Sequence, residues 1–130
     1  MSFPFNSKEG LIIVRTEVTG PSGHAVLRLA LDTGATSTLV NVAMLVSIGY
    51  DPALVSDRFE LTTGSGVEFA PRIIVSKLKT LGQERLDFPV LCHTLPPSAG
   101  VDGLLGLDFF RQQILTLNFR KGKIGLDFIA

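Results

Sequence analysis

"LALDTGATSTLV" runs from Leu29 to Val40. One carboxylate, Asp32, interrupts a stretch that is otherwise apolar or hydroxyl-bearing. An unpaired acid in apolar surroundings is costly, so Asp32 needs a reason to be there. The approach "LRLAL" (Leu27 to Leu31) reads as a strand, and Asp32-Thr33-Gly34 reads as a sharp turn at its end. Gly34 tolerates backbone angles closed to other residues and lets a second backbone come close. Thr33 and Thr36 supply hydroxyls for buried polar groups. Two roles remain open from the residues alone. Asp32 acts as a general acid or base, or it only caps a turn.

Outward from this stretch the chain alternates with period two, as half-buried strands do. Ile12, Val14, Thr16 and Val18 share one face, "GPSG" (Gly20 to Gly23) is a turn, and Ala25, Leu27, Leu29 and Leu31 share the next face. "NVAMLVSIG" breaks the alternation and predicts a short helix capped by Asn41 and ended by Gly49. "RFEL" and "VEFA" predict a hairpin with Phe59 and Leu61 answered by Val67 and Phe69, tipped by "TTGSG". Pro71 is expected to limit further pairing.

Downstream, Leu86, Phe88, Val90 and Cys92 are expected in register on one strand face. "VDGLLGLDFF" predicts a short apolar strand and a helical turn capped by Asp108. Leu115, Leu117 and Phe119 are expected to face Ile124, Leu126 and Phe128 across a closing hairpin. The expectation is seven to nine short strands and one or two short helices, an all-β barrel or sandwich.

Composition bounds the function. The 130 residues suit one domain, 1–130, and 45% hydrophobic against 18% charged residues supply a core. Twelve Lys+Arg balance twelve Asp+Glu, so the basic footprint of a nucleic-acid binder is missing. No apolar run approaches the roughly 20 residues of a membrane helix. "MSFPFNSKEG" lacks the pattern of a signal peptide. One cysteine, Cys92, excludes an internal disulfide. A cytoplasmic location is the expectation. Cys92 and His93 with only His24 to help cannot make a four-ligand zinc site, so no metal or other cofactor is expected.

Two features beyond Asp32 give the chain a family resemblance: "LLG" (Leu104 to Gly106), about seventy residues downstream, and the glycine-containing hairpin between them. In this order the motifs resemble the retropepsin-like aspartic proteases, the single-domain enzymes of retroviruses and their bacterial relatives. The likeness runs from about Leu11 to Phe128. "GYDP" after the first helix and the end of the second motif look more like the bacterial members. The resemblance implies a small closed β-barrel with one or two short helices and a flap hairpin. It implies Asp32 as the catalytic aspartate and Thr33, Gly34 and Ala35 as the active-site loop. It implies Leu104, Leu105 and Gly106 as the strand supporting that loop, and Thr63, Gly64, Ser65 and Gly66 as a flap over substrate. The family's chemistry uses two aspartates sharing one proton, and carboxylates about 3 Å apart cannot both ionise.

This chain has one Asp-Thr-Gly. Asp102 lacks the hydroxyl residue before its glycine, and a bilobal enzyme would need about twice the length. The resemblance therefore implies a homodimer with Asp32 from each copy. The expected function is hydrolysis of peptide bonds in extended, mostly apolar segments of a peptide or protein. A catalytically weak peptide-binding or dimerisation module of the same fold is the alternative. Apolar chain ends, "FPF" (Phe3 to Phe5) and "LDFIA", pack either on a partner or on their own domain. Thr36 and Ser37 stand where viral relatives often carry acids, and Ser65 separates the flap glycines that viral relatives often place side by side.

Overall fold

Alternating apolar residues build two adjoining sheets. The structure is a computed structural model and describes residues 1–63 and 66–128, with the side chains of Thr62 and Thr63 excepted. Its strands are β1 (Ser2–Pro4), β2 (Ile13–Gly20), β3 (Gly23–Leu31), β4 (Leu39–Asn41), β5 (Arg58–Thr63), β6 (Gly66–Thr80), β7 (Gln83–His93), β8 (Gly103–Leu105), β9 (Gln113–Asn118) and β10 (Lys123–Phe128). One α-helix, α1 (Val42–Ser47), follows β4, with the Asn41 side chain accepting from the Ala43 N–H at its start and Gly49 just beyond its end at φ +103°. Short 3-10 turns cover Pro52–Leu54, Pro97–Ala99 and Leu107–Phe110.

The larger sheet runs β2-β3-β8-β4-β7-β6-β5, and β6 pairs back onto β2. Six strands therefore close a barrel, as the resemblance implied, and β5 projects beyond it as an edge. Val14, Thr16 and Val18 of β2 and Leu27 and Leu29 of β3 face the interior, as their alternation requires. Val75, Leu78, Val90, Leu105 and Phe109 complete the core, each at most 1% exposed. Burying one such large side chain stabilises by about 1.5–3 kcal/mol, so the barrel interior carries much of the fold.

The smaller sheet, β1-β10-β9, packs Ile124 and Leu126 into the same core. Leu115 faces Leu126 and Leu117 faces Ile124, as expected, whereas Phe119 lies beyond the ladder on the Phe5 ring. Phe3 pairs with Ile124, and Phe3 and Phe5 pack on the core, so the apolar start of the chain is covered by its own domain.

Three local expectations are corrected. Pro71 does not end a strand. β6 runs through it, pairs with β5 as far as Arg58↔Pro71, and changes partner to β7 at Arg72↔Leu91. Proline lacks only its own N–H, so it sits where one ladder hands over to the next. Leu86 does not join Phe88, Val90 and Cys92 inside; it is 70% exposed. Asp87 between them has φ +50°, a left-handed backbone that reverses the alternation. Third, Val67 and Phe69 do not answer Phe59 and Leu61. The register Phe59↔Ala70 and Leu61↔Glu68 puts Ala70 and Glu68 beside them, and Val67 and Phe69 turn outward, 55% and 68% exposed.

Candidate active site

Asp32 stands one residue beyond β3, where the strand leaves the barrel. Its N–H donates to the Leu105 carbonyl at 3.0 Å, which ties it to β8. Its own carbonyl accepts from Ala35 N–H at 3.2 Å, and its Oδ1 accepts from Gly34 N–H at 2.8 Å. The turn thus orients the carboxylate through atoms within three residues, while Oδ2 has no partner among the described residues. A Cβ at Gly34 would approach that Oδ1 to 3.2 Å. Asp32 is half-buried, and Thr33 and Gly34 are exposed beside it.

The loop after the turn is fastened from below. β3 and β8 run parallel with Leu31 opposite Leu105, and β4 and β8 pair with Leu39 opposite Leu104. β8 therefore lies between the strand entering the turn and the strand leaving the loop. Leu105 is buried in the barrel, whereas Leu104 faces the cleft beside Asp32. Gly106 passes so close to the loop that a Cβ would meet Ser37 C at 2.7 Å and Ala35 O at 2.9 Å. Leu107 N–H donates to Ala35 O at 2.8 Å.

Thr38 completes the lock and was not legible beforehand. Its hydroxyl donates to Asp108 Oδ1 at 2.7 Å and accepts from Gly106 N–H at 3.1 Å, and its N–H donates to Asp108 Oδ2 at 2.9 Å. Asp108 is therefore not the helix cap expected of it. Gly106 holds that position, with no side-chain cap, and the Asp108 carboxylate is spent on Thr38. Asp102 serves the strands: its Oδ2 accepts from Arg28 N–H at 2.8 Å. Half-buried Arg85 supports the Leu107–Phe110 turn, donating to Phe109 O at 3.2 Å, and burial lowers its pKa from the ordinary guanidinium value.

Beside this loop a cleft of about 610 Å³ opens, lined by Asp32 and by strand β5 of the β5–β6 hairpin. Leu39, Leu91 and Leu104 line it, joined by Phe59 and Leu61 of β5. Thr36 and Ser37 contribute a neutral polar edge. Consecutive lining by Phe59, Glu60 and Leu61 places the unpaired edge of β5 along the cleft. The hairpin pairs as far as Thr63↔Gly66, with Gly66 at φ +127°. Gly64 and Ser65 of the expected flap lie outside the described residues. His93 Nε2 is 3.4 Å from Glu68 Oε2, linking β7 to the hairpin. Among the described residues no three His, Cys, Asp or Glu side chains gather closely enough to hold a metal ion.

The sequence profile of the family described as "gag-polyprotein putative aspartyl protease" matches residues 20–112, well over half the chain. The chain belongs to that aspartyl protease family. Among solved structures, a retropepsin-like aspartic protease from Rickettsia conorii is similar over 98% of this chain and 89% of that one, with a TM-score of 0.73 and 16% sequence identity. At that identity the likeness speaks for the fold, which is retropepsin-like. No curated protein matches in sequence. The matched family region takes in both the Asp32 turn and the Leu104–Gly106 segment, with the hairpin between them.

Beyond the residues expected at this candidate site, the structure adds Thr38 in the loop, Phe59, Leu61 and Leu91 in the cleft, and Arg72 on the Phe59 ring. None carries a local motif. Thr38 is the last of three consecutive hydroxyl residues, Thr36-Ser37-Thr38, so nothing in the sequence singled it out.

Proposed function

We propose that this aspartyl protease family member is an endopeptidase that acts as a homodimer, with Asp32 of each copy forming one catalytic dyad. One observation carries the reading. The sole Asp-Thr-Gly of the chain places a half-buried carboxylate, held by Gly34 N–H, in a cleft that leucines, polar loop residues and strand β5 line together. A lone carboxylate cannot both activate water and protonate the scissile amide. Two of them about 3 Å apart share a proton, and each then takes one role.

In this scheme one Asp32 takes a proton from the attacking water. The other, protonated, donates to the carbonyl oxygen as the tetrahedral intermediate forms. The first Asp32 then gives the proton it took to the leaving nitrogen as the C–N bond breaks, and the second takes a proton back from the gem-diol hydroxyl, which becomes the carboxyl C=O, so the dyad again holds one proton. Thr33, exposed beside Asp32, faces the partner copy. Gly34 admits the substrate backbone, and Ala35 O is held by Leu107. Leu104, Leu105 and Gly106 keep the loop in place from below. The β5–β6 hairpin serves as the flap. A peptide lies extended in the cleft and adds to the open edge of β5 by main-chain hydrogen bonds. Its apolar side chains meet Leu39, Leu61, Leu91 and Leu104.

The test is incubation with a diverse peptide mixture, read as new termini by mass spectrometry, for the parent chain and Asp32→Asn. Cleavage by the parent and none by Asp32→Asn, with equal sedimentation of the two, is expected. Cleavage that persists in purified Asp32→Asn would sink the proposal.

A further inference from the structure

A second cavity of about 140 Å³ adjoins the main cleft, and Ser37, Phe59 and Leu91 line both. Phe59 is the large movable group in that shared wall. It stands near the root of the hairpin and is 40% exposed, so core packing does not fix its ring. Arg72 fixes it instead. The guanidinium carbon lies 4.0 Å from the ring centroid. Arg72 is itself clamped: its Nε and Nη2 each reach Asp57 Oδ2 at 2.8 Å, and its N–H donates to Asp57 O at 2.8 Å. A planar cation fixed by a carboxylate makes a firm stacking surface, which a lysine could not.

We infer that Phe59 is a specificity-determining residue and Arg72 the residue that positions it. This rests on the endopeptidase reading. The ring lies between the cleft and the side cavity, and the other large apolar side chains of the cleft are all aliphatic, Leu39, Leu61, Leu91 and Leu104. A branched aliphatic side chain fits against these leucines. The space that an aromatic ring would need lies behind Phe59. A cavity of about 150 Å³ can hold benzene, so the side cavity is of the right size for a ring once Phe59 is removed. The preferred substrate class is therefore a segment with leucine, isoleucine or valine under the hairpin root, disfavouring phenylalanine and tryptophan.

The experiment uses peptide pairs that differ only by leucine or phenylalanine at each position around the cleaved bond. The parent chain is expected to favour leucine at one position by about 10-fold in kcat/KM, a usual value for a pocket selecting apolar groups. Phe59→Ala should shift that ratio about 10-fold toward phenylalanine. Arg72→Lys should give an intermediate shift. A Phe59→Ala chain that loses activity equally on both peptides, or a parent indifferent to the pair, overturns the inference. Calorimetric binding of uncleavable reduced-amide versions to the Asp32→Asn background reads the same ratio without turnover. Selective binding reversed by Phe59→Ala sustains the Phe59 role even if the parent cleaves nothing, which would overturn only the endopeptidase reading. No selectivity in binding overturns the Phe59 role.

Discussion

The Thr38 hydroxyl donates to Asp108 Oδ1 at 2.7 Å across seventy residues of sequence. Thr38 Oγ1 also accepts from Gly106 N–H at 3.1 Å, so one side chain joins the loop after Asp32 to the segment beneath it. Thr38 is fully buried, and no solvent can replace either bond.

Thr38→Val keeps the shape and removes the hydroxyl. It leaves the Gly106 N–H and one Asp108 oxygen without that partner. The expected cost is about 1–3 kcal/mol, the usual price of an unsatisfied buried polar group. Urea denaturation of Thr38→Val and Thr38→Ser measures it. Serine should recover most of the loss, and equal stability of the valine variant and the parent would contradict the lock.

Gly106→Ala tests the close passage of β8 under the loop. The added Cβ would lie 2.7 Å from Ser37 C and 2.8 Å from Ser37 O. Those atoms are backbone and cannot rotate away, so the loop must move. Overpacking of this kind costs about 1–3 kcal/mol. Thermal unfolding should show the loss, and cleavage should fall by more than the remaining folded fraction explains, because Asp32 shares the displaced loop.

The proposed dimer is testable by sedimentation across concentrations. The expected mass moves from that of one chain toward twice it as concentration rises. Asp32→Asn should follow the same curve, since the substitution keeps the turn's shape. A chain that stays monomeric at the concentration where it cleaves peptides would remove the dyad.

Cys92 predicts a pH effect. It is 3% exposed, and burial pushes its thiol pKa up. The folded chain therefore holds this proton more tightly than the unfolded chain does. Its contribution to stability is complete below the ordinary thiol range and is lost as pH rises through the raised folded value. Alkaline urea titrations of the parent should lose stability that Cys92→Ala retains. An aromatic disulfide reagent should label the native thiol slowly and the unfolded one at once.

Features carried by short spacing were legible in the sequence. Period-two alternation set the inward faces of β2 and β3, because neighbouring strand residues point to opposite sides whatever the partner. The Asp32 turn was equally legible, since Gly34 N–H and Asp32 Oδ1 belong to positions only two apart in the chain. Where a single backbone angle intervened, counting failed. Asp87 at φ +50° left Leu86 outside although its parity matched Phe88.

Tertiary structure alone decided the partners. Alternation says which residues share a face but not which strand faces them, so the hairpin register assigned Ala70 rather than Phe69 to Phe59. The same holds for Asp108, whose local setting suggests a helix cap until the barrel closes and brings Thr38 against it. Arg72 reaches Phe59 because it lies two residues beyond Ala70, the register partner of Phe59, with its N–H bonded to Asp57 O. Local chemistry is set by bonds a few residues long, whereas hydrogen bonds and ring contacts between distant segments exist only once the closed sheet fixes their distance.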